Sequence, residues 1–300
     1  MLSAFEKPGR FYKGNIHTHT DRSDGRLSPV EVCRLYREAG YDFLSLTDHF
    51  LERYGWPLTE VDDGSRGGLV LIRGAELHAP AISNGEAWHI LAVGLPKDFP
   101  PTEAGESGPD LAHRAAAAGA FVGIAHPDWY GLTEEDGRSL AAAHAVEIYN
   151  HSSELGTLRG GGAWLADALL AAGRRVGLYA VDDAHFHDED AFGAAVQVKA
   201  ASSEPDDLVQ ALKAGDYYST QGPEIHDIRI ERKRLEVRCS PVDAVFLLGL
   251  ASKARSVRAP GTTQAAFELD ELDSPFVRLV IADGDRRLAW SNPLWLADRA

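Results

Sequence analysis

His17-Thr18-His19 is followed along the chain by Asp24, Asp48-His49, Glu76, His126 and Asp183-Ala184-His185. Imidazole and carboxylate without thiolate suit Zn, Mn or Fe and not a structural thiolate zinc site. On an extended segment, side chains two residues apart leave the same face, so His17 and His19 can grip one ion. Such a pair is a weak signal by itself. A chain of this length with this many histidines holds about 0.5 His-x-His pairs by chance, and His185-Phe186-His187 is a second one here. The weight comes from convergence, because there are more candidate ligands than one ion uses. Two or three cations are implied, and they also explain how a cluster of carboxylates and imidazoles escapes like-charge repulsion and desolvation cost.

These residues fall where strands are expected to end. Apolar runs of strand length alternate with Ala-rich stretches of helical length, as in repeated β-α units. Strands are predicted at 14–18, 42–47, 68–76, 88–95, 120–125, 145–149, 176–181 and 194–200, with helices at 110–118, 133–143, 163–172 and 205–214. A further helix opens at Ser28-Pro29-Val30-Glu31, a Ser cap with Pro first and Glu third, and closes at Gly40. In a parallel α/β barrel the C-terminal strand ends build the site, which would carry all these residues to one mouth. After Gly222-Pro223 the pattern changes to short strand-like runs without helices, at 225–230, 234–239, 244–248, 265–269, 276–282 and 287–291. Asp283-Gly284 is a hairpin signal. The expected division is 1–223, an α/β barrel, and 224–300, a small all-β domain resembling a sandwich. His113 and His144 fall on predicted helices as solvated or packed residues, and His226 falls in the β unit.

Composition narrows the function classes. The chain has 300 residues, 44% of them hydrophobic, and a formal charge of −15. Affinity for DNA or RNA comes from Lys and Arg that neutralise phosphates, so a nucleic-acid polymer is an unsuitable partner and a small molecule a suitable one. The two cysteines, Cys33 and Cys239, make no disulfide framework necessary. No apolar segment has a membrane-spanning length and the N-terminal residues contain no secretory apolar core, so the expected location is the cytoplasm, with no membrane partner.

The ordered motifs His17-Thr18-His19-Thr20 with Ser23-Asp24-Gly25, Thr47-Asp48-His49, Gly74-Ala75-Glu76, Ala125-His126-Pro127 and Asp183-Ala184-His185 resemble those of the PHP (polymerase and histidinol phosphatase) superfamily. The resemblance covers about residues 13 to 222. It implies a distorted (β/α)₇ barrel holding two or three divalent ions, Mn²⁺, Zn²⁺ or Fe²⁺, that hydrolyses phosphoesters. It further implies His17, His19, Glu76 and Asp183 around a first ion, with Glu76 bridging to a second held by His89 and His126, and Asp24, His49 and His185 around a third. Many members have His where this chain has Asp24. His89 opens its predicted strand, where the barrel rule does not place a ligand, and His78 is a rival for its role. The run 215–224 resembles the barrel exit of a branch that carries a small β domain and includes an aryl carbamate hydrolase.

The expected chemistry is hydrolysis of a small phosphomonoester or nucleotide-type phosphoester by a metal-bridging hydroxide, with Glu76 and Asp183 holding the ions and His49 or His185 as proton donors. Asp48, Asp182 and Asn150 are expected to orient the ligands. Arg22, Arg26 and Arg159, with Asn150, are the expected substrate contacts, and Trp88, Trp129 and Tyr149 the candidate stacking surfaces. His151 and His187 are placed near the mouth. Alternatives are hydrolysis of a carbamate or non-phosphate ester by the same site and a catalytically silent metal-dependent binding module. The amidohydrolase fold, which also opens with His-x-His, usually wants a bridging Lys where this chain has Glu76.

Overall fold

The computed structural model describes residues 4–299. Its strands are β1 (Arg10–Asn15), β2 (Phe43–Leu46), β3 (His49–Phe50), β4 (Val70–Ala79), β5 (Trp88–Val93), β6 (Phe121–Ile124), β7 (Ala145–Asn150), β8 (Gly177–Val181), β9 (Ala195–Ala200), β10 (Tyr217–Thr220), β11 (Ile225–Glu231), β12 (Arg234–Leu248), β13 (Ala254–Glu268), β14 (Phe276–Ala282), β15 (Leu288–Ser291) and β16 (Leu294–Trp295). The α-helices are α1 (Pro29–Glu38), α2 (Gly108–Ala117), α3 (Glu134–Ser139), α4 (His151–Thr157), α5 (Ala163–Ala171) and α6 (Pro205–Ala214).

The result is a mixed α/β protein built on one large sheet. Pairing is parallel for β1–β2, β2–β4, β6–β7 and β7–β8, whereas β5 runs antiparallel to both β4 and β6. The row β1-β2-β4-β5-β6-β7-β8 curls back on itself. Thr18, just beyond β1, bridges Ala184, just beyond β8, and the Asp183 N–H donates to the His17 carbonyl at 2.9 Å. The regular succession of β-α units expected from sequence is interrupted at the β4–β5 hairpin. That interruption carries the start of β5 to the same sheet edge as the end of β4.

Helix α1 shows how local sequence anchors the site. Ser28 caps it and Glu31 returns the bond, with Pro29 in the first turn where no N–H is needed. Its face of Val32, Cys33 and Tyr36 packs with Leu44 and Leu46 of β2 in one buried cluster. At about 1.5–3 kcal/mol per fully buried large apolar side chain, this contact holds the loop between β1 and α1, which includes Asp24, against the sheet. α2 and α5 similarly cover β5, β6 and β7 through Leu111, Ala115, Leu165 and Leu169.

Several elements differ from the sequence expectation. The first strand lies at Arg10–Asn15, so His17-Thr18-His19 follows it and extends only as far as the single bridge at Thr18. α4, short and capped by Asn150, was not predicted, and α3 ends at Ser139, well short of 143. His144 lies outside any helix, and its Nδ1 accepts the Val122 N–H at 3.0 Å. The runs 234–239 and 244–248 form one strand, β12, whose register shifts between Arg238 and Val242, where Pro241 has no N–H to donate to a ladder. β13 begins at Ala254, well before 265, because its first part is exposed and polar and gives no apolar signal.

Among the described residues all six α-helices end by Ala214, and from Ile225 onward the elements are strands with one terminal 3₁₀ turn. These strands continue the same sheet, because β15 pairs with β10. Beneath them, Tyr218 and the N-terminal residues Phe5 and Phe11 join the core of β11, β12 and β14. No helix among the described residues is long and apolar enough to cross a membrane.

Candidate metal centre

Where β1, β2, β4, β5, β6, β7 and β8 turn their ends together, the residues singled out in sequence meet. Gly74 permits this at β4, since a Cβ there would lie 2.4 Å from Ser45 Oγ and 2.8 Å from the Ala92 carbonyl oxygen. Two residues later, Glu76 is buried with its oxygens divided between two groups of imidazoles. Oε1 lies 2.6 Å from His89 Nδ1 and 3.1 Å from His126 Nε2. Oε2 lies 2.7 Å from His49 Nδ1, 3.5 Å from His19 Nε2 and 3.7 Å from His17 Nε2. Asp183 Oδ1 is 3.2 Å from His17 Nε2 and 2.9 Å from His19 Nε2.

A cation fits this donor set. His17 Nε2, His19 Nε2, His126 Nδ1 and Asp183 Oδ1 are all buried without a hydrogen-bond partner, although such groups are ordinarily satisfied. Donor atoms within 4.8 Å of one another form the groups His17, His19 and Glu76; His17, His126 and Asp183; Glu76, His89 and His126; His49, Glu76 and His78; and His19, Asp24, His49 and His185. Of the sets implied by the resemblance, Glu76 with His89 and His126, and Asp24 with His49 and His185, each fall within one group, whereas the first is divided, Glu76 grouping with His17 and His19 and Asp183 with His17 and His126. His126 and Asp183 both take positive φ, at 20° and 55°, a conformation that costs about 1–3 kcal/mol and collects at functional sites.

The outer corner is more open. Asp24 Oδ2 lies 3.2 Å from His49 Nε2 and its Oδ1 3.5 Å from His185 Nε2. Neighbouring groups hold two of the imidazoles with Nε2 turned inward. The His17 Nδ1–H donates to Glu147 Oε2 at 3.1 Å, and the His185 Nδ1–H to the Asp183 carbonyl at 2.8 Å.

Electrostatics follow from this crowding. Burial disfavours charge on Glu76, but His89 and His49 outweigh it and hold its carboxyl well below the usual range. Asp183 is likewise pushed up by burial and brought well below its ordinary value by His17 and His19. Burial lowers His17, yet Asp183 and Glu147 hold it well above the ordinary imidazole. His49, against the same burial, is raised by Glu76 and Asp24 to about 10. His19 is lowered to about 4 by burial and the neighbouring His185 and His49.

The supporting residues divide differently from the expectation. Asn150 is buried, its amide is engaged by Glu147 Oε1 at 2.6 Å, Asp183 Oδ2 at 3.0 Å and the Ser153 N–H at 2.8 Å, and it does not line the cavity over the cluster. Asp48 accepts from Thr20 N–H and Oγ1, Ser23 Oγ and Thr59 Oγ1, which fixes the loop leading to Asp24. Asp182 accepts from the Tyr36 hydroxyl and the Phe192 and Ala194 N–H groups. Glu147, a buried acid within an otherwise apolar strand, was missed in the sequence, where that contrast was the available signal.

A cavity of about 270 Å³ opens over the cluster, lined by Asp24, His49, Glu76, His89, His126, Asp183 and His185 together with Trp129, Ser152, Ser153, Gly156 and Thr157. No Lys or Arg among the described residues lines it. Arg22 lines a separate cavity with Thr59 and Arg66, while Arg26 and Arg159 are exposed. Trp88 is buried and Tyr149 stacks on Trp290, so of the three candidate aromatics only Trp129 faces the cavity. His151 bonds Tyr149 Oη at 2.9 Å, and His187 donates to the Asp24 carbonyl at 2.8 Å. His113, on α2, and exposed His226, which contacts Glu224, take no part in the cluster.

No family model matches the chain, and no curated protein matches it in sequence. Among solved structures it is similar to a two-domain protein from Bacteroides vulgatus containing a predicted PHP-like metal-dependent phosphoesterase, at 16% identity and a TM-score of 0.54 over 97% of this chain and 98% of that one. It is also similar to an amidohydrolase from Chromobacterium violaceum, at 16% identity and a TM-score of 0.43 over 59% of this chain and 89% of that one. The first likeness shows a shared fold along nearly the whole chain.

Proposed function

We propose that this chain is a metal-dependent hydrolase that cleaves a small phosphoester. One observation carries the reading: four buried donor atoms, on His17, His19, His126 and Asp183, have no hydrogen-bond partner, and these residues belong to a cluster of further imidazoles and carboxylates. The sheet row β1 to β8, curled on itself, is read as the distorted barrel of that enzyme type, with residues 1–223 as the catalytic unit and 224–300 as the accessory β unit. The name of the Bacteroides vulgatus protein supports the same class.

His17, His19, Glu76 and Asp183 would hold a first cation, Glu76, His89 and His126 a second, and Asp24, His49 and His185 a third. Divalent ions such as Mn²⁺, Zn²⁺ or Fe²⁺ supply Lewis acidity there and acidify water toward a pKa of about 7. The rest falls to the chain. Glu76 spans two imidazole groups with its two oxygens, fixing their separation. Glu147 and the Asp183 carbonyl hold the Nδ1 hydrogens of His17 and His185. Trp129 walls the cavity by its edge-to-face contacts with His89 and His126, at 5.5 and 5.1 Å, and limits water on that side. Proton delivery to the leaving oxygen belongs to the open corner, where Asp24 and His185 meet solvent. A small molecule is the partner that fits this cavity, and the acidic chain disfavours a nucleic-acid polymer.

A carbamate or other non-phosphate ester is the second reading, favoured by the absence of any Lys or Arg in the cavity lining. Metal-replete protein assayed side by side on nitrophenyl phosphate, a dinucleotide phosphodiester and an aryl carbamate separates the two. Turnover of the phosphates with two to three bound metal equivalents is expected. Turnover of the carbamate alone would replace the first reading with the second, and tight metal binding with no turnover on the whole panel would leave a binding module.

A further inference from the structure

His78 belongs to none of the ligand sets implied by the motifs, yet its ring is buried inside the cluster. It faces His89 across the β4–β5 ladder. Its Nδ1 lies 3.1 Å from the Trp88 carbonyl oxygen, and its Nε2 lies 2.8 Å from His49 Nδ1. A carbonyl only accepts, so His78 Nδ1 bears a hydrogen and the neutral ring offers a lone pair at Nε2. That lone pair needs a donor, and the donor is His49 Nδ1–H. Glu76 Oε2, at 2.7 Å from the same nitrogen, is also an acceptor, so both neighbours require the hydrogen to be on His49 Nδ1. His49 Nε2, 3.2 Å from Asp24 Oδ2, is then the nitrogen that gives up its proton when a cation takes its place.

We propose that His78 is a positioning residue that fixes His49 as its Nδ1–H tautomer, so that Nε2 is the atom offered to a cation at the Asp24 and His185 corner. The inference rests on the metal-hydrolase reading above. The same device is visible twice nearby, with Glu147 holding His17 and the Asp183 carbonyl holding His185. At His49 the acceptor is an imidazole. A second carboxylate there would face Glu76 at close range and repel it, whereas a neutral ring fixes the hydrogen without adding charge. When cations draw on the Glu76 oxygens, His78 Nε2 remains as the acceptor that keeps His49 turned.

The test is nuclear magnetic resonance on ¹⁵N-histidine-labelled protein, zinc-loaded and metal-free. A scalar coupling across the hydrogen bond between His49 Nδ1 and His78 Nε2 is expected in both states. His78→Phe should weaken uptake of the most weakly held zinc by about 10–100-fold, while His78→Gln, whose carbonyl can accept the same hydrogen, should stay within about threefold of the parent. A zinc-bound nitrogen shift on His78, no coupling in either state, or equal loss in Gln and Phe variants overturns the proposal. Should Phe fail to fold, the coupling and the Gln variant still decide. A chain that takes up no zinc overturns the hydrolase reading instead, and the metal-free coupling still reports on the His49–His78 bond.

Discussion

The two ends of the cluster are built to different standards of rigidity. At the inner end His17, His19, Glu76, His126 and Asp183 are all buried, two of them at positive φ. At the outer end the side chain of Asp24 is 40% exposed and that of His185 22%. Inner ligands sit on or beside sheet strands, while Asp24 hangs on a loop held by Asp48 and by the His187 contact to its own carbonyl. The difference teaches that affinity and exchange are separated in space. On the proposed reading the inner end would hold its cations tightly, and the outer end would exchange a third ion and a substrate.

The most severe way to break this comparison is Glu76→Gln. It removes the one carboxylate shared by both inner groups, so about two metal equivalents should be lost on elemental analysis, and turnover should fall by about 10³-fold or more. Asp24→Asn should do less. A loss of one equivalent and about 10–100-fold in activity is expected. If the two variants lost metal equally, the inner and outer ends would not be distinct.

A pH profile of the metal-free protein sharpens the same contrast. Glu76 and Asp183 have carboxyls held below their ordinary values, so their contribution to stability is complete above about pH 5 and is lost as pH falls through and below about 4. His49 works in the other direction. Its folded value of about 10 lies above the ordinary imidazole, so its contribution is complete below about pH 6 and is lost as pH rises through 10. His19, lowered to about 4, adds to the acid loss. Urea unfolding of chelator-treated protein should therefore find greatest stability near pH 5 to 6.5 and a decline toward pH 10. A rise across that alkaline range would contradict the assigned surroundings of His49.

How far the sequence could be read follows from what each residue depends on. His17, His19, His49, Glu76, His126, Asp183 and His185 were legible because strand ends and short spacings mark them. His89 was not legible from the barrel rule, since only the antiparallel turn of β5 brings its strand start to the site edge. Glu147 and His78 were invisible as helpers, because their roles depend on which ring nitrogen faces them, a matter of side-chain geometry. β13 escaped because an exposed strand has no apolar period to show, and α4 because its first turn follows directly from β7 through the Asn150 cap.

The smallest effects expected are those of Arg22→Ala, Arg26→Ala and Arg159→Ala. Sequence position alone suggested that one of them clamps the substrate, since each lies in a loop near the site. Among the described residues no Lys or Arg lines the cavity, and Arg22 lines a different one. Positive charge for an anionic substrate would then come from bound cations, and each of the three variants should keep kcat/KM within about twofold, because a true bidentate contact to a charged oxygen is worth about 1.5–3 kcal/mol and its loss about 10-fold or more. A tenfold rise in KM for any one of them would mean that its loop closes over the cavity when substrate binds. That outcome would move substrate recognition from the inner cluster to the loops around the open corner.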